Sequence, residues 1–451
     1  MLEHVKSLWA RSKVFRVILI LALIYVGFRI IAQGVLLTGL IPLTAIQGDK
    51  EYLWRDLDVY LEAGEHFRQQ QNLYFTETSA LYPYPYAPSF ALAFVPFTWL
   101  SDINAARLHT LLHLLAYGFL YFRWKRIFTW LDLEKADEIM AWTLPVWLMF
   151  AAFWNDLNAL NIGVFMATLG TLFIEAVLKE NLVTALLWLS VILQIKPHWS
   201  FAAAVPLLLG RWRFFVKLVV GAIVAYAVIM GGVMLIGGPA YGWHQHVDYV
   251  RRLLAYRGDF PWRTPADAPF LGFNHSIMQT MYFFFGVSER TKRWTQVLKA
   301  LLLLPLAVTG LRYLVPAIRG LDRSSRPKIG LAWAFVLYLG AFLWLDVVWE
   351  LSLGIAAFSY LMIAVTNKWT RITVSSVWLA YALGEFLEIL SLLFLGYSAL
   401  SPTSYVITNP NVYIPTIMFA LLLFYGFLLH HLWKNVSEWS ATYKQLRFEH
   451  S

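Results

Sequence analysis

Apolar runs that approach the length of a bilayer crossing recur from one end of this chain to the other. A helix needs about 20 apolar residues to cover the hydrocarbon core, and within that core its backbone polar groups must be bonded inside the segment. Such runs fall at 17–40, 104–122, 139–154, 162–178, 182–195, 199–209, 216–236, 297–315, 329–345, 351–365, 372–395 and 413–432, about twelve spans in all. With 59% hydrophobic and only 14% charged residues, a soluble domain is excluded. The pattern predicts an all-α polytopic membrane protein, with residues 1–451 forming one integral domain. The run at 88–100 is too short to cross alone and fits a re-entrant segment.

Charge between the runs orients the chain. Lys6, Arg11, Lys13 and Arg16 precede the first run, and basic groups recur at Arg123–Lys125–Arg126, at Arg211–Arg213–Lys217, from Arg319 to Lys328, at Lys368–Arg371 and in the tail. By the positive-inside rule these segments are cytoplasmic, as are both ends, and the two long connections then share the outer side. The net charge of +9 has its origin in those basic loops and is no sign of nucleic-acid binding. The 21 tryptophans and 23 tyrosines suit interfacial belts. The first run is long and lacks a small-residue cleavage site, so it reads as a retained anchor. With no cysteine, the chain has no disulfide, thiol nucleophile or thiolate metal site. The membrane expected is the plasma (inner) membrane, with lipids as partners.

The first outer loop, 44–88, holds seven acids against three bases, opens with Asp56 and Asp58, and closes on a Tyr/Pro-rich turn. If 52–68 is helical, Leu53, Leu57, Tyr60, Leu61 and Gly64 share one apolar face. Asp58 then joins Glu62 and Glu65 on a solvated edge, while Asp56 lies at the margin of the buried face beside Tyr60 and Ala63. A carboxylate held half out of water works as a base near neutral pH, so Asp56 is the candidate base. The plain alternative is that both aspartates belong to a polar helix surface.

The second outer loop, 238–294, is net basic, with seven Arg or Lys, among them Arg257 and Arg263, against four acids. One acidic and one basic loop on the same side point to a cleft for an anionic substrate, and the guanidinium fork suits a phosphate. For any single arginine the alternative is snorkelling to lipid headgroups. His244 and His246 stand at i, i+2, which points them apart on a helix and argues against a metal site. Asn274-His275-Ser276 puts a polar cluster at the top of a span, where an interfacial histidine is the ordinary reading. Charged groups inside the runs are few: Asp156 near Asn155 and Asn158, Lys196-Pro197-His198, and Asp346 with Glu350, all on the outer side by parity. Lys196 at its proline break either meets a phosphate or reaches the interface.

Taken together these residues resemble the GT-C class of polyprenyl-phosphate-sugar-dependent glycosyltransferases, and within it glycosyltransferase family 87. Carrying the resemblance are Asp56-Leu57-Asp58-Val59-Tyr60, Asn72-Leu73-Tyr74 and Tyr86-Ala87-Pro88 running into Ser89-Phe90-Ala91-Leu92. Asn161-Ile162-Gly163, Ile195-Lys196-Pro197 and Asn274-His275-Ser276 look like later family blocks. Ala87 stands where the family has a proline, and the Gly-Gln usual after the Asn161 step is missing. The resemblance implies a GT-C fold and transfer of a sugar, mannose foremost, from a polyprenyl-phosphate donor to a hydroxyl of a glycolipid or glycan (polysaccharide) acceptor on the outer face. Asp56 corresponds to the catalytic base. His275, Arg257, Arg263 and Lys196 are the candidates for the donor phosphate, and Asp58, Tyr60, Tyr84, Tyr86 and Asn274 for lining the substrate. No cofactor or metal is required, because a monophosphate carries less charge than a nucleotide diphosphate, and the chain has no glycine-rich nucleotide loop. The main rival is a transporter or flippase for a lipid-linked or anionic solute, although such proteins usually show internal symmetry that this sequence lacks. A non-catalytic membrane subunit explains the loops least well.

Overall fold

The computed structural model of the chain describes residues 2–38, 45–47, 50–52, 55–76, 84–256, 274–320, 326–348, 351–365, 367–376, 378 and 416–448. The fold is helical apart from a short antiparallel ribbon, β1 (Ala45–Gln47) with β2 (Lys50–Tyr52), in which Ala45 pairs with Tyr52 and Gln47 with Lys50. Helices α1 (Leu2–Arg11) and α2 (Lys13–Leu36) are separated at Ser12, whose side chain caps α2 by accepting from the Phe15 amide at 3.2 Å. After the ribbon come α3 (Arg55–Arg68), α4 (Pro88–Phe94), a 3-10 run at Val95–Trp99, and the long α5 (Asp102–Trp130). The middle of the chain forms α6 (Ala136–Leu148), α7 (Ala151–Ala159), α8 (Gly163–Leu178), α9 (Leu182–Ile195), a second 3-10 run at Pro197–Ala204, and the single turn α10 (Val205–Leu208). Then follow α11 (Trp212–Gly237), α12 (Pro239–Tyr256), α13 (Ile277–Phe285), α14 (Glu289–Gly320), α15 (Arg326–Trp344), α16 (Gly354–Ala364) and α17 (Thr416–Phe448).

Five of the described helices are long and apolar enough to cross a membrane: α2, α11, the 289–313 part of α14, α15, and the 417–435 part of α17. A sixth is formed if α6 and α7, bent by 43°, act as one broken span. This is the architecture of an all-α membrane protein. The expected spans at 162–178, 182–195 and 351–365 appear as the shorter apolar helices α8, α9 and α16. The 199–209 run does not form a spanning helix, because Pro197 and Pro206 break it into a 3-10 stretch and one α turn. Most of the 372–395 run lies outside the described residues. At 29 residues α5 is roughly 43 Å long, enough to cross, but it carries arginines near both ends.

Burial separates centre from periphery. In α15, 72% of the apolar window is buried, against 17% in α2 and 11% in α11, so α15 is a core element while the other two turn most of their apolar surface outward. Around α15 pack α8, α14, α17 and the second 3-10 run, with α16 against α6 and α17. The bend between α6 and α7 follows Pro145, which has no N–H for the helix ladder, and the chain turns at Met149–Phe150.

The helix of the first long loop begins later than its spacing predicts. Tyr52 is in the ribbon, Leu53 lies outside the described residues, and α3 opens at Arg55. Its buried face is Leu57, Tyr60, Ala63, Gly64 and Phe67, with Leu61 on the flank. This face sits on α4 and the first 3-10 run, and Gly64 makes the approach possible. A Cβ there would stand 3.0 Å from the Phe94 carbonyl carbon and 3.1 Å from its oxygen, backbone atoms with little room to retreat. We expect Gly64→Val to destabilise the protein by about 1–3 kcal/mol through overpacking, read as a lowered thermal unfolding midpoint in detergent. A midpoint at or above wild type would show that α3 is not held this closely.

Candidate functional site

Four separated segments meet around the first turns of α3. Asp56 lies in its first turn and Tyr60 one turn later. The Tyr60 hydroxyl donates to Asn161 Oδ1 at 3.1 Å and lies 3.3 Å from the Tyr86 hydroxyl. A hydroxyl has one proton to give, so Tyr86 is the donor to Tyr60, and the chain runs Tyr86, Tyr60, Asn161. Burial, followed by the neighbouring Tyr86 and Asp56, raises the pKa of Tyr60 well above its ordinary value, so it stays a neutral donor.

The 84–89 turn is fixed to the end of α9. Ala87 N donates to Gln194 O at 3.1 Å and Ser89 Oγ to Gln194 Oε1 at 2.8 Å. Two residues on, Lys196 closes α9 in an extended conformation (φ −133°, ψ 86°), as the following Pro197 requires. Its ammonium interacts electrostatically with both Asp156 and Asp56. Among the described residues its Nζ has no hydrogen-bond or ion-pair partner, leaving a cation available beside the Asp56 carboxylate.

Asp156 forms the floor. Its carboxylate accepts the Gly163 amide at 2.8 Å through Oδ1 and the Val164 amide at 2.7 Å through Oδ2, capping the start of α8. His113 Nε2, from α5, is 3.3 Å from Oδ2. The His113 Nδ1 faces the His109 carbonyl at 2.9 Å, and since a carbonyl can only accept, Nδ1 carries the proton. Two local features let Asp156 fold back onto α8. Leu160 takes a left-handed conformation (φ 44°, ψ 41°), costly for a branched side chain, and turns the chain sharply after α7. Gly163 has no Cβ, and one placed there would lie 2.5 Å from Asp156 Oδ1.

The structure places the sequence candidates in three groups. Asp56, Tyr60, Tyr86 and Lys196 converge. Tyr84 is buried beside them with its hydroxyl donating to Ala87 O at 3.1 Å, so it shapes the turn. Asp58 is half-buried like Asp56, not on the fully solvated edge that helical spacing predicts, because α3 lies among neighbouring elements on more than one side. Asn274 and His275 are buried on a different segment: Asn274 Nδ2 donates to Asp346 O at 3.0 Å, its Oδ1 accepts Val348 N at 3.1 Å, and His275 N donates to Val348 O at 2.8 Å. Ser352, later in the chain, has its Oγ 3.1 Å from the position of a Cβ on Gly163. Arg257 and Arg263 lie outside the described residues.

The acidic and basic loops touch. Asn72 Nδ2 donates to Asp248 Oδ2 at 2.9 Å, Leu73 N to Gln245 Oε1 at 2.9 Å, and Tyr241 from α12 to Gln71 O at 2.8 Å. The Asn72-Leu73-Tyr74 step is therefore a clip that holds the first loop on α12. His244 pairs with Asp248 at 3.2 Å whereas His246 turns to Gly242 O at 2.7 Å, the divergence their spacing predicts. Among the described residues no group of three or more His, Asp or Glu is placed to hold a metal ion. Sequence reading missed His109 and His113, whose i, i+4 spacing on one face of α5 is the signal that pairs them.

No family model, curated protein or solved structure matches the chain.

Removing one partner of a buried ion pair costs about 3–5 kcal/mol. We expect Asp156→Asn and Gly163→Ala to lower the thermal midpoint clearly, and Asp56→Asn, at a half-exposed position, to shift it far less. Equal midpoints for all three variants would show that Asp156 is not the structural carboxylate.

Proposed function

We propose that the chain is an inverting glycosyltransferase of the GT-C type. It moves a sugar, mannose foremost, from a polyprenyl-phosphate donor to a hydroxyl of a glycolipid or glycan at the outer face of the plasma membrane. The observation that carries this reading is the meeting of one half-buried carboxylate, Asp56, with the Lys196 cation, above the amide-bonded carboxylate of Asp156. Asp156 has both oxygens occupied by backbone amides and His113, so it is unsuited to take a proton. Asp56 is left as the base.

In the reaction, Asp56 takes the proton of the acceptor hydroxyl as that oxygen attacks the anomeric carbon. The bond from the anomeric carbon to the phosphate oxygen breaks, and its electron pair leaves on polyprenyl phosphate. Attack from the face opposite the leaving group inverts the configuration. Lys196 meets the charge that develops on the phosphate, which removes the need for a general acid. Tyr60, held by Asn161 and Tyr86, fixes the wall next to Asp56. Arg257, Arg263 and His275 belong to the same reading as further phosphate contacts, and the outer face follows from the sequence expectation that the basic loops and both ends are cytoplasmic.

Ionisable groups buried in helices also mark solute pathways. His113–Asp156 and the Lys299–Asp346 pair, with Nζ 2.5 Å from Oδ1, favour a transporter as the second reading. One assay separates the two: polyprenyl-phosphate mannose and a lipid-extract acceptor given to the full-length protein in vesicles. Sugar transfer should fall about 10²–10⁴-fold in Asp56→Asn, as for loss of a general base, and also fall in Lys196→Gln. Wild-type transfer rates in Asp56→Asn, or solute flux without transfer in the wild type, would overturn the enzyme reading.

A further inference from the structure

At the other end of the broken α6–α7 span is a groove of about 620 Å³ that the sugar-transfer reading does not use. Its apolar floor includes Ile139, Trp142 and Met362, and its rim carries Lys135, Lys368 and Arg371. Glu138 at the edge is already paired with Arg11, and Asp137 turns away to Lys125 at 3.2 Å. Arg371 uses its Nε on Val365 O at 2.6 Å, which leaves its two terminal nitrogens to the groove. Among the described residues Lys368 has no side-chain partner. Lys135 pairs only loosely with Glu134, at 3.9 Å and with both side chains exposed, so among the described residues Lys368 and Arg371 rim the apolar groove without a carboxylate partner.

The groove also lies at a membrane boundary. Glu138 and Asp156 are separated by roughly 25 Å of helix at 1.5 Å per residue, close to the hydrocarbon thickness, so the groove and the Asp56 site belong to opposite faces. Trp369, 74% exposed, and Trp142, 39% exposed, flank the basic residues, the pairing of indole and cation found at headgroup depth. The neighbouring N-terminal helix α1 is bound through the Arg11–Glu138 contact, and its segment is basic. Anionic lipid is attracted to such juxtamembrane clusters on the cytoplasmic side.

We propose that this groove is a binding site for an anionic glycerophospholipid of the cytoplasmic leaflet. Arg371, Lys368 and Lys135 grip the phosphate, and the acyl chains run down over Trp142, Ile139 and Met362. The site does not depend on the activity assigned to Asp56. Native mass spectrometry of the delipidated full-length protein, titrated with phosphatidylglycerol, phosphatidylcholine, polyprenyl phosphate or inorganic phosphate, tests it. Phosphatidylglycerol should be retained at least tenfold over phosphatidylcholine, and Lys368→Gln/Arg371→Gln should reduce that retention tenfold or more at an unchanged thermal midpoint. If the double variant fails to fold, the exposed single changes Lys135→Gln and Lys368→Gln should each reduce it severalfold. Undiminished retention in the variants, equal retention of phosphatidylcholine, preference for polyprenyl phosphate, or full competition by inorganic phosphate would overturn the proposal.

Discussion

The carboxylate of Asp156 is the point on which the polar interior of this protein depends. An ionised carboxyl taken out of water is tolerated only when its oxygens are bonded and its charge is met. Here both conditions are supplied by other segments: two amides at the start of α8 bond the oxygens, and the Lys196 ammonium at the end of α9 interacts with the charge. Asn161, in the same turn, then receives the Tyr60 hydroxyl, and so the first outer loop is referenced to the membrane-embedded helices. The position of Asp56 follows from this chain of contacts more than from the loop itself.

That arrangement divides the work between two aspartates. Asp156 is immobile and fully engaged, which suits it to hold structure and set the local field. Asp56 is only half-buried, one helical turn from a tyrosine that stays neutral, and next to a lysine whose ammonium interacts electrostatically with it and with Asp156. In the transfer proposed above, a fixed cation beside a base serves a hydroxyl proton and a phosphate that leave in the same event. Preorganised charge in a water-poor site costs no reorganisation when the event occurs.

Much of this was legible in the residues, for reasons that differ by element. The amphipathic face of α3 could be read because Leu57, Tyr60, Leu61 and Gly64 repeat at helical spacing against a polar background. Asp156 and Lys196 could be picked out as polar islands in apolar sequence, and Asn161 through the resemblance alone, yet their convergence depends on how α7, α8 and α9 pack, and no local pattern encodes that. His109 and His113 were marked only by their i, i+4 spacing on α5, and the carboxylate that His113 faces lies on another helix, which no local pattern names. The span at 199–209 failed because hydropathy sums side chains and is blind to the backbone breaks made by Pro197 and Pro206. The relation of Asn72 to Asp248 was invisible for a simpler reason: the two are 176 residues apart.

The broken α6–α7 element shows why a membrane helix would be interrupted at all. A continuous helix through 136–159 would keep every backbone group bonded and carry Asp156 along an unbent axis. The bend after Pro145 redirects α7, and the left-handed Leu160 then brings the chain back so that Asp156 caps the very next helix. Irregular backbone at this depth is stable only where protein surrounds it, and the near-complete burial of Phe150, Phe153, Trp154 and Leu160 meets that requirement. The same element presents Ile139 and Trp142 to the basic groove at its other end. One interrupted element thus carries Asp156 at one end and the Ile139 and Trp142 side chains of the basic groove at the other.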